Sequence, residues 1–298
     1  MKNKTATLIV GPTAIGKTAI AIQFAKQFQC AIINADSRQC YKELRIGVAR
    51  PSEADLNEVP HYFVASHSIH EEVNASVFET LSLQWADSVF TRGDHLVVSG
   101  GTGLYLKAFC EGLDDIPTVQ RDIREQLRLE YTGKGLAWLQ SAVKREDPDF
   151  YSVGEIKNPA RLLRALEVIR STGKSVISFR GKQKKQRPFN IRVFGLEMDR
   201  TQLNERINER VNQMMRAGLI GEAEELFPYR HLQALQTVGY TELFSYMEGR
   251  TSLEEAVEQI KQHTRQYAKR QMTWFKKDPS IVWLQANDPA IMEKLTQA

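Results

Sequence analysis

The sequence predicts an α/β protein: a P-loop parallel sheet with helices on both faces, plus an all-helical insertion domain. Three observations predict it. Residues Gly11 to Thr18 read G-P-T-A-I-G-K-T directly after the apolar run Thr7-Leu8-Ile9-Val10. Through the first 113 residues, short continuous apolar runs alternate with helix-period segments, the pattern of strands buried on both faces. From about Asp114 to Arg187 the periodicity is helical throughout, and an apolar strand returns only at Ile191 to Met198. The expected division is therefore a core of residues 1–113 and 191–298 carrying a helical insertion at 114–190.

Taken in order, Thr5 to Val10 is the first strand and Thr18 to Phe28 the first helix, with Ile20, Phe24, Ala25 and Phe28 on its apolar side. Ala31 to Asn34 is a second buried strand. Asn74 to Arg92 reads as an amphipathic helix, opened by Ser76-x-x-Glu79 in capping-box spacing. His95 to Ser99 is a third strand, running into Gly100-Gly101-Thr102-Gly103 and a helix from about Leu104. In the insertion, Ile123/Leu127/Leu129, Leu136/Leu139/Val143 and Leu162/Leu163/Leu166/Ile169 mark helices, punctuated by Pro117, Pro148 and Pro159. Arg180 to Arg187 has no apolar side chain, so it cannot pack into a core and is expected to be a mobile loop. After the returning strand, Asp199 caps a helix over Thr201 to Ala217 that Gly218 stops. A further helix covers Ile220 to Phe227, Ser252-x-x-Glu255 opens a long one to about Lys276, and Val282 to Leu284 is a last strand.

The bulk numbers exclude several classes. The chain has 298 residues, 42% of them hydrophobic, enough for one large or two smaller cores. No apolar run approaches the length of a membrane span, and Met1-Lys2-Asn3-Lys4 leads straight into a strand without a signal-peptide pattern. Cys30, Cys40 and Cys110 match neither a disulfide framework nor a zinc ribbon. The expectation is a cytoplasmic, monomeric protein with reduced thiols. Residues 114–190 hold 16 Lys and Arg against 10 Asp and Glu, a net of +6, while the rest of the chain sums to −2. Localised positive charge suits a nucleic-acid partner, although a solvated helical surface gives the same count.

The chemistry begins at the loop. Gly11 and Gly16 let the backbone turn tightly so that its N–H groups point at phosphate oxygens, and the following helix adds the positive end of its dipole. Lys17 reaches a terminal phosphate, and the Thr18 hydroxyl takes a place on Mg²⁺. The loop alone specifies polyphosphate and metal. Asp36, in Asn34-Ala-Asp-Ser-Arg-Gln39, follows the second strand at the sheet edge where ligands of parallel sheets bind. There it could hold Mg²⁺, take a proton from a nucleophile or cap the next turn. Gly100 to Gly103 lies at the corresponding edge of the third strand, with one hydroxyl at Thr102. Arg206 and Arg210 stand four apart beside the stripe Leu203/Ile207/Val211/Met214, and Lys261, Arg265 and Lys269 form a similar row joined by Arg270, with Tyr267 and Trp274 interleaved. Basic residues among aromatics suit backbone phosphates and stacked bases, although such aromatics more often belong to the core. No metal-holding Asp of the Walker-B type follows the strand ending at Ser99, which disfavours an NTP-hydrolysing motor.

At this point the whole chain resembles the bacterial tRNA dimethylallyltransferases. The resemblance rests on Gly11 to Thr18, Asp36-Ser-Arg-Gln39, Tyr41, Ile46-Gly47, Pro60-His61, Gly100 to Tyr105, Asn158 to Glu167, Val238-Gly-Tyr240 and Tyr267 to Phe275, nine stretches in the right order. It implies transfer of a dimethylallyl group from its diphosphate to the exocyclic amine of the adenosine 3′ of a tRNA anticodon. It further implies Asp36 as general base, Thr102 and Arg210 holding the diphosphate, Gly11, Pro12, Thr13, Ala14, Ile15, Gly16, Lys17 and Thr18 as its cradle, and Mg²⁺ as cofactor. As tRNA contacts it implies Asp36, Ser37, Arg38, Gln39, Thr102, Arg124, Arg161, Leu162, Leu163, Arg164, Gln236, Thr237, Val238, Gly239, Tyr240, Thr241, Arg265, Lys269 and Arg270, with the insertion domain contacting tRNA. His61 matches a family position without a derivable role. Val48 and Arg50 stand where the family often has Thr and Lys, and the lost hydroxyl at position 48 is expected to be peripheral. Ile15 replaces a usual small residue where its side chain need not meet phosphate.

The residues suit that chemistry independently. A positioned carboxylate accepting a proton from a weakly nucleophilic amine is worth about 10²–10⁴ in rate. Five buried carbons contribute only about 4 kcal/mol, at ~0.8 each, so the diphosphate must carry most of the donor's binding. The target adenine must leave its stack to reach a buried acid. Two other readings share the loop. A nucleoside kinase has no use for a basic helical insertion, and a GTPase-like RNA-binding switch lacks its N-K-x-D motif.

Overall fold

The computed structural model describes residues 4–181 and 184–297. The chain divides into two compact units, one running to Gly112 and resuming at Gln186, the other Leu113–Lys185.

The first unit is built on a six-stranded sheet, all parallel, in the order β3-β2-β4-β1-β5-β6. Its strands are β1 (Thr5–Val10), β2 (Ile32–Asn34), β3 (His61–Tyr62), β4 (His95–Gly100), β5 (Asn190–Glu197) and β6 (Val282–Gln285). Residues of β1 alternate between two cores: Ala6, Leu8 and Val10 join Ile33, Leu96 and Val98 on one face, and Ile9 joins Ile32, Val97, Phe194 and Leu196 on the other. Helices α1 (Lys17–Gln27), α2 (Glu53–Glu58), α3 (Ala75–Phe90) and α4 (Gly103–Glu111) connect the early strands. β5 pairs directly with β1, so the strand after the second unit rejoins the sheet between β1 and the edge strand β6.

Two local expectations are corrected here. The helix α3 is capped by Asn74, whose side chain accepts from the amides of Ser76 and Val77, and not by a box at Ser76. Asn reaches the free amides of the first turn from two residues further back. Glu79, the expected partner of that box, forms a largely buried ion pair with Arg187 at 3.0 Å. Arg187 also donates to the carbonyls of Ala108 and Phe109, so the end of the basic stretch is anchored to the core. Lys185 pairs with Asp115, while Lys182 and Gln183 lie outside the described residues.

The second unit contains α5 (Arg121–Glu146), broken at Gly135 where φ is +73°, then α6 (Pro148–Val153) and α7 (Pro159–Thr172). Leu127, Leu139, Val143, Phe150, Leu162 and Leu166 form its core. Asn158 caps α7 ahead of Pro159, and Gly173 ends it.

Back in the first unit, α8 (Arg200–Arg216) is capped by Asp199, as the sequence predicts. It is followed by α9 (Leu219–Leu226), α10 (Tyr240–Met247), α11 (Leu253–Phe275) and α12 (Ile291–Gln297). The capping box Ser252/Glu255 opens α11. Burial pushes the Cys30 and Cys40 thiols up to about 12, which makes them inert. No described helix is long and apolar enough to cross a membrane.

Candidate active site

The first strand delivers the loop Gly11 to Thr18 to the C-terminal edge of the sheet. Gly16 has φ +106°, a conformation costly for any residue with a side chain, and stands as the N-cap of α1. Ile15 is buried in the core behind the loop, so its bulk points away from the phosphate side. Lys17 curls over the loop and donates to the carbonyls of Gly11 (3.0 Å) and Pro12 (2.7 Å). Burial lowers its pKa to about 7; Asp36 opposes that shift and Arg210 adds to it. Burial likewise pushes the Arg210 guanidinium down, against the attraction of Asp36 and with the repulsion of Arg206. Arg210 donates to the Thr13 hydroxyl and the Ala49 carbonyl, both at 3.4 Å. Cations held this way in a poorly solvated place gain most when an anion arrives.

Asp36 follows β2. Its Oδ1 accepts from the amides of Arg38 (2.8 Å) and Gln39 (3.3 Å), so it caps the turn with one oxygen. The capping role and a chemical role for Oδ2 are therefore compatible. The Thr102 hydroxyl accepts from the Ser37 amide at 3.0 Å and is hydrogen-bonded by Tyr267. The Arg38 guanidinium donates to the carbonyls of Gln233 and Ala234, and the Gln39 amide to those of Val48 and Ala49.

Two cavities meet at these residues. One, of about 440 Å³, is lined by Lys17, Thr18, Asn34, Ser99, Gly101 and Arg206. The other, of about 560 Å³, is lined by Ser37, Arg38, Met214, Gln236, Tyr267 and Arg270. Thr13, Asp36, Val48 and Arg210 line both. Position 48 is therefore not peripheral, contrary to the sequence expectation: Val48 is an apolar wall where the two spaces join. His61 donates through Nδ1 to the Val59 carbonyl at 2.8 Å, a bond beside the edge strand β3, and burial lowers its pKa.

Among the expected RNA-facing residues, Thr237, Val238, Gly239 and Thr241 line the larger cavity with Gln236. Tyr240 does not: its side chain is fully buried, and its hydroxyl donates to Glu222 at 2.6 Å. Leu162 is likewise fully buried, in the core of the second unit, so neither side chain presents a surface to RNA. Leu163 packs partly against that core. Arg124 and Arg164 both pair with Glu167, and Arg161 pairs with Glu155. On α11, Arg265 donates to Asn208 of α8 at 2.6 Å, Lys269 is exposed, and Arg270 stands over the Tyr267 ring.

Three buried polar residues escaped the sequence reading. Glu222 accepts from the amides of Arg45, Ile46 and Gly47 as well as from Tyr240. Glu242 accepts from the Gly239 amide and the Thr241 hydroxyl and pairs with His263. Gln271 bonds the backbone of two loops. A signal existed for Gln271: it lies in the stripe Ile260, Ala268, Phe275 of α11, and a polar residue on an apolar face needs partners inside.

The IPP transferase family model matches residues 39–278. The chain is 46% identical to the tRNA dimethylallyltransferase of Cytophaga hutchinsonii, over 94% of this chain and 92% of that protein. It is 44% identical to tRNA dimethylallyltransferase 1 of Bacteroides fragilis, over 95% and 94%. Among solved structures, the tRNA isopentenylpyrophosphate transferase of Bacillus halodurans superposes with a TM-score of 0.71 at 33% identity, covering 99% of this chain and 94% of that one. A eukaryotic dimethylallyltransferase acting on tRNA superposes with a TM-score of 0.80 at 25% identity, covering 98% and 76%.

Proposed function

Because the chain belongs to the IPP transferase family and is a transferase of that kind, we propose that it passes a dimethylallyl group from dimethylallyl diphosphate to the exocyclic amine of the adenosine 3′ of a tRNA anticodon. The observation that carries the chemical assignment is the junction of the two cavities. Asp36 stands there within electrostatic reach of both Lys17 and Arg210.

The smaller cavity takes the diphosphate. Lys17, Arg210 and the loop amides bind its oxygens, and the larger cavity receives the extruded adenine. The bond between the allylic carbon and the diphosphate oxygen breaks, and its electron pair leaves with the diphosphate. The amine nitrogen bonds the allylic carbon, and its proton passes to Asp36. Val48 closes the side of the junction and shields the allylic carbon from water.

Mg²⁺ fits the residues present. Among the described residues no cluster of three or more His, Cys, Asp or Glu forms a metal cage. Mg²⁺ is commonly held by one or two protein oxygens, substrate phosphates and waters. Thr18, on the first turn of α1 and on the wall of the smaller cavity, is the residue that would hold it. When bound, the ion offsets charge on the diphosphate.

Incubation with tRNA and dimethylallyl diphosphate, and separately with a nucleoside and ATP, tests the assignment by mass. Only the tRNA is expected to gain mass. Asp36→Ala is expected to lose about 10²–10⁴ in transfer rate while retaining tRNA binding. A phosphorylated nucleoside, or an Asp36→Ala variant at full rate, would falsify the assignment.

A further inference from the structure

Gln271 of α11 is buried, and its two amide atoms face different loops. Oε1 accepts from the Thr13 amide at 2.8 Å, and Nε2 donates to the Gly101 carbonyl at 2.9 Å. The approach to Gly101 is close: a Cβ there would fall 2.2 Å from Nε2, so the bridge exists only because that position is glycine. The next residue, Thr102, donates its amide to the Ala35 carbonyl and accepts from the Ser37 amide on its hydroxyl. A continuous path of hydrogen bonds therefore runs from the phosphate loop, through one side-chain amide, to the residues on either side of Asp36.

We infer that Gln271 is a positioning residue for transfer, setting the separation between the diphosphate cradle and the proton acceptor. The inference rests on the reading of those two groups given above. Both loops have left the strand ladder, so sheet pairing no longer fixes their spacing. A buried primary amide with one donor and one acceptor engaged tolerates little slack, because an unmade bond there carries the full desolvation cost. It is uncharged, so its removal does not directly alter the electrostatics around Lys17. Misplacement of reacting groups by about 1 Å typically costs about 10² in rate.

The test compares wild type with Gln271→Leu, Gln271→Met, Gly101→Ala and the Gln271→Leu/Gly101→Ala pair. Single-turnover prenyl transfer is measured at saturating tRNA and dimethylallyl diphosphate, alongside tRNA affinity and thermal melting. Gln271→Leu is expected to lose about tenfold to a hundredfold in single-turnover rate per folded molecule, with tRNA affinity within about twofold. Gly101→Ala should lose a similar factor, and the double variant no more than either single one, since both break one bridge. Gln271→Met keeps the side-chain length, uncharged and without either hydrogen bond, and provides the same readout if the leucine variant does not fold. A wild-type chain that transfers nothing overturns the function itself. Transfer in wild type together with undiminished rates in the Gln271 variants, or additive losses in the double variant, overturns only the positioning role.

Discussion

The smaller cavity is made of loop backbone and charge, whereas the larger one is walled mainly by side chains from helices that the chain reaches after residue 200. In the first, eight consecutive residues place the glycine turn, the lysine and the helix N-terminus together. Local sequence dictates the cradle itself, while Arg206, Arg210 and Gln271 join it from distant helices. In the second, Arg210, Met214, Thr237, His263 and Tyr267 meet only through the packing of α8, α11 and the segment before α10. A site for a common chemical group can thus be specified by a short motif, while a site for a large, shaped substrate must be assembled by tertiary contacts.

Loss of a charge on the smaller side should produce the largest effect. Lys17→Met is expected to weaken inorganic diphosphate binding about tenfold to a hundredfold, the worth of one charge-assisted bond. Because the Lys17 pKa lies at about 7 in the unliganded protein, wild-type binding should weaken from about pH 6.5 to 8.5 relative to the variant, with proton uptake measurable by calorimetry in two buffers. The same depressed value means that the unfolded chain binds more protons between about 7 and 10.5. This lysine therefore makes the unliganded fold more stable as pH rises through that window. Identical pH profiles for wild type and variant would show that Lys17 does not meet the anion.

On the larger side, Tyr240→Phe leaves Glu222 without one of its buried donors. A stability loss of about 1–3 kcal/mol in urea denaturation is expected, with diphosphate affinity unchanged. A variant as stable as wild type would mean that the wall is not held through this contact. The smallest effect is expected from Arg270→Ala. tRNA affinity should fall severalfold and its salt slope by about 1. An unaltered slope would remove Arg270 from the RNA path.

The fold was legible where apolar runs were continuous. The strands near Thr5, Ile32, His95, Ile191 and Val282 all lie where the sequence predicts them. The two-residue β3 is too short to leave a period, and α10 begins at a glycine that reads as a loop signal. At the site, Lys17 stands out by its motif and Asp36 by its place after a strand, whereas Arg210 is singled out only by the family resemblance. Tyr240 was misjudged because a motif position does not say which way a side chain turns. Glu222 was missed because it sits in an ordinary-looking helix and acquires its role from amides distant in sequence, and Glu242 because the amide it binds, Gly239, lies in a stretch that reads as loop. The basic stretch misled for the opposite reason: charge suggested solvent, yet Arg187 found a buried carboxylate and two carbonyls.

That last contact has a consequence for the chain's architecture. Arg187 grips the carbonyls of Ala108 and Phe109, just before the chain leaves the sheet unit and just after it returns. The two crossings are thereby stapled together from the sheet side. With the ends held together, each doubling of the excursion's length costs its host only about 0.6 kcal/mol more closure entropy. The pairing of β5 with β1 therefore tolerates a change in the length of the helical unit at small cost.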